Sequence, residues 1–274
     1  MWQGNIEKMQ SALGTPVLYE LPIGDASVAM NPLIGKPIKI EYTGTINCIH
    51  CGAKTKKSYS QGYCYPCMMK LAACDMCIVK PETCHFDKGT CREPDWAETH
   101  CMRPHYVYLS NSSGVKVGIT RETQIPTRWI DQGAVQALAI AKAQTRFQVG
   151  LMEVAIKQHL NDKTDWRKML RNQVESINLA DIRDDVFAKC ESDFTELRNR
   201  FGEDSIELLN AETQVDIQFP VDHYPEKIKS FNLDKTPVAE GILQGIKGQY
   251  LILDTGVLNV RKYTGYEWQL STTN

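Results

Sequence analysis

The sequence predicts an α+β protein: a small cysteine-rich module, a three-stranded sheet flanked by helices, a helical extension, and β segments at both ends. Three observations carry this reading. Nine of the ten cysteines fall between Cys48 and Cys101. Short apolar runs broken by Gly, Pro, Asn and Asp occur before and well after that block. Helical periodicity takes over at Leu151–Leu160 and again from Trp166 to Phe201. The expected divisions are 1–47 (β), 48–104 (cysteine module), 105–165 (sheet with helices), 166–205 (helical extension) and 206–274 (β).

The first β segment is read from Thr15 to Leu21 and from Pro37 to Ile46. The cysteines follow. Cys48-Ile-His-Cys51 and Cys64-Tyr-Pro-Cys67 are two Cys-x2-Cys turns separated by twelve residues. Each turn aims two thiolates at one point, and the spacing allows a small hairpin to close a tetrahedral four-sulfur zinc site. Gly52 and Gly62 sit where such turns are tight. A second group follows: Cys74, Cys77, Cys84, Cys91 and Cys101, with His85, His100 and His105 nearby. Five thiols exceed one tetrahedral site. The preferred second zinc set is Cys77, Cys84, Cys91 and Cys101, with Cys74 or His85 as alternative ligands. Four-thiolate sites are closed, so both zinc ions are expected to be structural. Cys190, alone in a helical pattern, reads as core.

Tyr106–Ser110 and Val115–Ile119 are two β runs joined by the turn residues Asn111-Ser-Ser-Gly114. Thr127–Gln132 reads as a short helix, Val135–Lys142 as a third strand and Leu151–Leu160 as an amphipathic helix. Trp166–Ile177 and Leu179–Phe201 read as further helices, and Thr236–Leu243, Gln249–Leu253 and Val257–Val260 as strands. Thr15-Pro-Val and Thr43-Gly-Thr-Ile-Asn47 recur loosely as Thr236-Pro-Val and Thr255-Gly-Val-Leu-Asn259. From this repeat the two ends are expected to pair into one sheet or small barrel.

Net charge is only −2, but it is unevenly spread. Residues 103–172 carry eleven Lys/Arg against five Asp/Glu, and residues 173–240 seven against sixteen. A basic middle suits an anionic ligand, unless the acidic helices simply pack against it. No basic stretch followed by an apolar run opens the chain, and no window is apolar enough to span a bilayer, so a cytoplasmic protein is expected.

Val107-Tyr108-Leu109, a hairpin, Lys116-Val-Gly-Ile-Thr120, then Arg128, then Glu153 on a later helix together resemble a GIY-YIG-like nuclease domain covering about residues 105–165. The resemblance is closest to the branch in which lysine replaces the second tyrosine. With the cysteine block and flanking β segments, the whole chain resembles an uncharacterised microbial family joining zinc knuckles to that domain. The resemblance implies catalytic roles for Tyr108 (near the nucleophile), Lys116 (at the second-tyrosine position), Arg128 (neutralising phosphate) and Glu153 (the carboxylate holding Mg2+ or Mn2+). Two positions depart from the pattern: Lys116 is no phenol, and Gln132 stands where a histidine or tyrosine base usually follows the arginine. Asn161 and Asp165 are candidates for the closing polar residue.

The expected partner is nucleic acid, DNA or RNA. Lys54, Lys56 and Lys57 would contact phosphate, and Tyr59, Tyr63 and Tyr65 would stack on bases. Three functions fit the residues: a divalent-metal-dependent endonuclease, a non-catalytic nucleic-acid-binding protein, or a zinc-stabilised scaffold whose acidic helices dock a protein.

Overall fold

Residue patterns at the two chain ends explain the largest sheet, which neither end could complete alone. In the computed structural model, which describes residues 1–160 and 165–272, strand β1 (Trp2–Asn5) is followed by the small sheet β2 (Gln10–Ala12), β3 (Leu18–Ile23) and β4 (Ala26–Ala29), then by β5 (Pro37–Ile46). Along β3, Tyr19, Leu21 and Ile23 are buried and alternate with more exposed neighbours, the period-two signature of a one-sided strand. The cysteine region contributes α1 (Tyr65–Lys70), a chain of single 3-10 turns, and α2 (Pro94–His100).

The middle of the chain follows: β6 (His105–Asn111), β7 (Val115–Arg121), α3 (Thr127–Asp131), β8 (Gln136–Ala143) and α4 (Arg146–Lys157). The predicted hairpin and third strand are present, with β6 central between β7 and β8. α4 begins five residues before the expected start. Thr145 Oγ1 accepts from Gln148 N at 3.3 Å while Gln148 Oε1 accepts from Thr145 N at 2.9 Å, a reciprocal cap that fixes this boundary.

α5 (Trp166–Leu170) ends well short of the expected Ile177, because Asn172 takes φ 54 and turns the chain. The long helix expected over Leu179–Phe201 is two helices, α6 (Leu179–Lys189) and α7 (Glu191–Phe201), meeting at the buried Cys190. Strands β9 (Ile206–Leu208) and β10 (Val215–Asp216) then pair with β8.

The chain closes with β11 (Val238–Lys247), β12 (Tyr250–Leu253), β13 (Gly256–Asn259) and β14 (Tyr266–Thr272). The six-stranded sheet runs β1-β14-β5-β11-β12-β13, so β5 lies between two C-terminal strands. β1 and β14 were not foreseen. The two ends do share an architectural unit: hairpin, 3-10 turn, then a long strand, seen as β3-β4-β5 and as β12-β13-β14. The sequence repeat does not align with it. Thr15-Pro-Val leads into β3, whereas Thr236-Pro-Val leads into β11, one strand before the equivalent β12.

Two main cores result. Tyr19, Ile40, Trp268 and Leu270 fill one beneath the terminal sheets, and it extends to Tyr108 and Trp129 of the middle segment. The other packs Val107, Leu109 and Ile140 against α4, α6 and α7. No helix among the described residues is long and apolar enough to cross a membrane.

Candidate functional site: a basic cleft between the sheet and the cysteine turns

The first cysteine cluster grows directly from the end of β5. Asn47 N donates to Gly265 O at 2.8 Å, which ties the cluster to the terminal sheet. Gly265 has φ 87, and a Cβ there would lie 2.5 Å from Asn47 O, so only glycine permits this approach. Cys48 N donates to Ala53 O at 2.9 Å and Gly52 N to Cys48 O at 2.8 Å, closing the first turn. Ile49 N donates to Gly62 O at 2.9 Å, laying the second turn against the first. Cys64 stands at the N-cap of α1 and Cys67 lies in its first turn.

The four sulfurs of Cys48, Cys51, Cys64 and Cys67 consequently all lie within 4.8 Å of one another, and Cys51 and Cys64 are 3.8 Å apart. A tetrahedron of thiolates about 2.3 Å from a zinc ion has edges of about 3.8 Å. The cluster can therefore hold one tetrahedral metal ion. Burial pushes the Cys48 thiol up, but hydrogen bonds from the backbone of Cys51, Cys64 and His50 outweigh it and bring the group down to about 6. The thiolate is the metal-binding form, so these amides favour ligation.

The other cysteines follow a chain of 3-10 turns braced by charged side chains. Arg92 Nη1 donates to Met68 O and Leu71 O, and its Nε lies 2.6 Å from Asp75 Oδ2. Cys77, Cys84, Cys91 and Cys101 line one cavity of about 20 Å³ together with Asp75 and His85. That volume suits a single atom-sized occupant. The donors that converge most closely, within 4.8 Å, are Asp75, Cys77 and His85. Asp75 is already engaged by Arg92 and by Cys77 N at 3.2 Å. His85 Nδ1 is 2.8 Å from Thr90 Oγ1, which leaves Nε2 to face Asp75 at 3.6 Å. Asp75 carried no sequence signal, because a lone aspartate beside Cys74 reads as solvated surface. Cys74 lies elsewhere, on the wall of the large cleft described next.

That cleft, about 640 Å³, runs along β7 from Lys116 to Arg121. It is also lined by Cys74, Asp75, Ile78, Val79 and Pro81, with Ser60 and Gln61 of the first cluster and Arg261 from the turn after β13. All four residues singled out from sequence line it: Tyr108, Lys116, Arg128 and Glu153. Tyr108 pairs with Gly118 across β6 and β7, and a Cβ at Gly118 would lie 2.6 Å from the Tyr108 hydroxyl. Burial raises the pKa of Tyr108, with Arg128 and Gln132 beside the phenol opposing that shift.

Burial, then the nearby Arg128 charge, bring Lys116 down to about 8. Glu153 sits in the middle of α4, not near its start as expected, and is buried. Burial raises its pKa against the pull of Lys157, whose Nζ is 3.4 Å from Glu153 Oε1. Asp165 is absent from the lining and caps α5, accepting from Arg167 N and Lys168 N. Asn161 lies outside the described residues.

Four further cations line the cleft: Arg121, Arg146, Lys157 and Arg261. With Lys116 and Arg128 they make six, against the carboxylates Asp75 and Glu153. The regional charge surplus hinted at the first three. Arg261 lies in a different segment and had no local signal. Arg146 also braces the cysteine-bearing turns, donating from Nη2 to Ile78 O at 2.6 Å and from its backbone N to Cys101 O at 2.8 Å. Near the first cluster, Tyr59 and Tyr65 are in edge contact at 5.6 Å and Lys57 Nζ lies 5.2 Å from the Tyr59 ring centre.

A family model described as a protein of unknown function (DUF2797) matches residues 35–268. Neither curated proteins nor solved structures yield a match.

Proposed function

The chain belongs to the DUF2797 family, whose description assigns no activity, and from the residues themselves we propose that it is a zinc-binding protein acting on nucleic acid. The observation that carries this reading is the cleft: six Lys/Arg side chains from separate segments face two carboxylates in one groove. Phosphodiester backbones present regularly spaced negative charge, and convergent cations without matching acids are the electrostatic complement. In this reading zinc fills the Cys48, Cys51, Cys64 and Cys67 cluster, a second ion fills the cavity lined by Cys77, Cys84, Cys91 and Cys101 where Asp75, Cys77 and His85 converge, and both ions hold the cleft lining in place.

The finer proposal is phosphodiester cleavage by a GIY-YIG-like arrangement. Arg128 would neutralise charge developing on phosphate, Lys116 would contact a neighbouring oxygen, and Tyr108 would orient the attacking group. Glu153 would hold Mg2+ or Mn2+, which supplies positive charge to the reacting oxygens. The Lys157–Glu153 pair at 3.4 Å favours a second reading, binding without cleavage, since a metal must compete with that lysine for the carboxylate.

Purified full-length protein with labelled single- and double-stranded DNA and RNA, with and without Mn2+, separates the two. Cleavage is expected only with Mn2+ and should be abolished in Glu153→Ala and Arg128→Ala. Salt-sensitive binding without cleavage leaves the non-catalytic reading standing. Absence of binding to every nucleic acid at low salt removes both.

A further inference from the structure

Arg261 enters the cleft from the C-terminal sheet, more than a hundred residues beyond Arg128. It sits in the 3-10 turn Val260–Tyr263, whose Val260 and Tyr263 are fully buried. Asn259 Oδ1 accepts from Lys262 N at 3.3 Å and Arg261 O accepts from Thr264 Oγ1 at 3.0 Å, so the backbone beneath the side chain is fixed. The guanidinium is held in turn: Arg261 Nε donates to Gln61 Oε1 at 2.6 Å.

Gln61 is presented by an unusual turn. Ser60 and Gln61 take φ 44 and 63, a left-handed conformation that ordinary side chains adopt only at a cost. Tyr59 N to Tyr63 O at 2.8 Å closes that turn within the first cysteine cluster. Both Ser60 and Gln61 line the cleft.

The electrostatics of the corner are one-sided. Burial lowers the pKa of Arg261, and the Arg128 charge lowers it further. The carboxylate that offsets Arg261 is Asp131, but Asp131 is already bound by Lys8 at 2.7 Å and Gln249 at 2.8 Å. Two guanidiniums from segments far apart in sequence thus line the same cleft, the charge of Arg128 is felt at Arg261, and the offsetting acid is committed elsewhere. Arginine forks match the oxygens of a phosphate in bidentate geometry.

We propose that Arg261 and Arg128 form a two-guanidinium clamp for one backbone phosphate, with Gln61 of the first cysteine cluster positioning Arg261. The clamp rests on the nucleic-acid reading above and adds to it a ligating residue that the nuclease-like segment does not contain. It also makes the first metal cluster part of the binding corner.

The test uses full-length zinc-loaded protein and a short labelled single-stranded oligonucleotide, titrated by anisotropy over a series of salt concentrations. Arg261→Ala is expected to weaken binding about tenfold and to reduce the salt slope by about one, as loss of one phosphate contact does. Arg261→Lys should restore the slope but only part of the affinity, since lysine keeps the charge without the fork. Gln61→Ala should weaken binding about threefold with an unchanged slope, and should have no further effect in an Arg261→Ala background.

Thermal melting and zinc content check that each variant is folded. Loss of affinity in Arg128→Ala with none in Arg261→Ala overturns the clamp while the cleft reading survives. Unchanged binding in both variants overturns the clamp and the cleft reading together.

Discussion

At the scale of single residues, the contact between Tyr108 and Gly118 governs the cleft floor. The Tyr108 ring is fully buried and packs near Trp129, with ring centres 6.1 Å apart, so it cannot yield to an added methyl group. Gly118→Ala is therefore expected to destabilise the protein by about 1–3 kcal/mol, the usual cost of overpacking. A urea midpoint measures it, and combining Gly118→Ala with Tyr108→Leu should recover part of the loss. An unchanged midpoint would mean the ring is free to move. Tyr108, Lys116, Arg128 and Glu153, singled out in the sequence by a family resemblance, all line the cleft. Arg261 was not singled out, because only the pairing of β5 with β14 and β11 brings its segment to the cleft.

At the scale of elements, α4 links the second group of cysteines to the cleft. Gly150 faces the turn at Pro81, where a Cβ would lie 2.5 Å from Pro81 Cβ and 3.0 Å from Glu82 N. The same helix carries Arg146, which holds Ile78 O, and Glu153. Gly150→Ala should push this turn away, costing about 1–3 kcal/mol. With zinc in both groups of cysteines, as proposed above, the expected readout is faster loss of the second ion to a chelator, with the first leaving at its original rate. Unchanged release of both would show that α4 does not brace the second site.

Element boundaries were read less well than element types. The start of α4 was available in the Thr145-x-x-Gln148 capping pattern. β14 was available too, in the alternation of buried Tyr266, Trp268 and Leu270 with half-exposed Glu267 and Gln269. The early end of α5 was not, because the φ of Asn172 is set by its tertiary setting: its side chain accepts from Lys247.

That bond marks a seam in the whole molecule. Lys247 of β11 is completely buried, donates to Asn172 Oδ1 at 2.6 Å, and lies 5.4 Å from the ring centres of Phe219 and Tyr224. Burial brings it down to about 7 from an ordinary 10.5. Below pH 7 both folded and unfolded chains hold the proton, and the fold carries the full cost of a buried charge. Between pH 7 and 10.5 the unfolded chain binds more protons than the folded one, so this group's contribution makes stability rise with pH.

Lys247→Met should accordingly be more stable than the parent near pH 6, by up to about 4 kcal/mol. The advantage should fade by pH 10. A melting-temperature difference that stays constant from pH 6 to 10 would show that the lysine is not titrating in this window.

The same long-range assembly forms the cleft, which draws residues from the first cysteine cluster, the middle sheet and the C-terminal sheet. Composition and spacing located the two groups of cysteines and the basic segment, but the shared groove exists only once those parts are packed. The most direct test is photo-cross-linking of a 4-thiouridine-containing single-stranded oligonucleotide to the intact zinc-loaded protein, followed by mass-spectrometric mapping. Cross-linked peptides are expected to contain Gln61, the Lys116–Arg128 stretch and Arg261, with cross-linking lost in Arg128→Ala. Cross-links confined to the acidic helices α6 and α7, or none at low salt, would contradict the cleft reading.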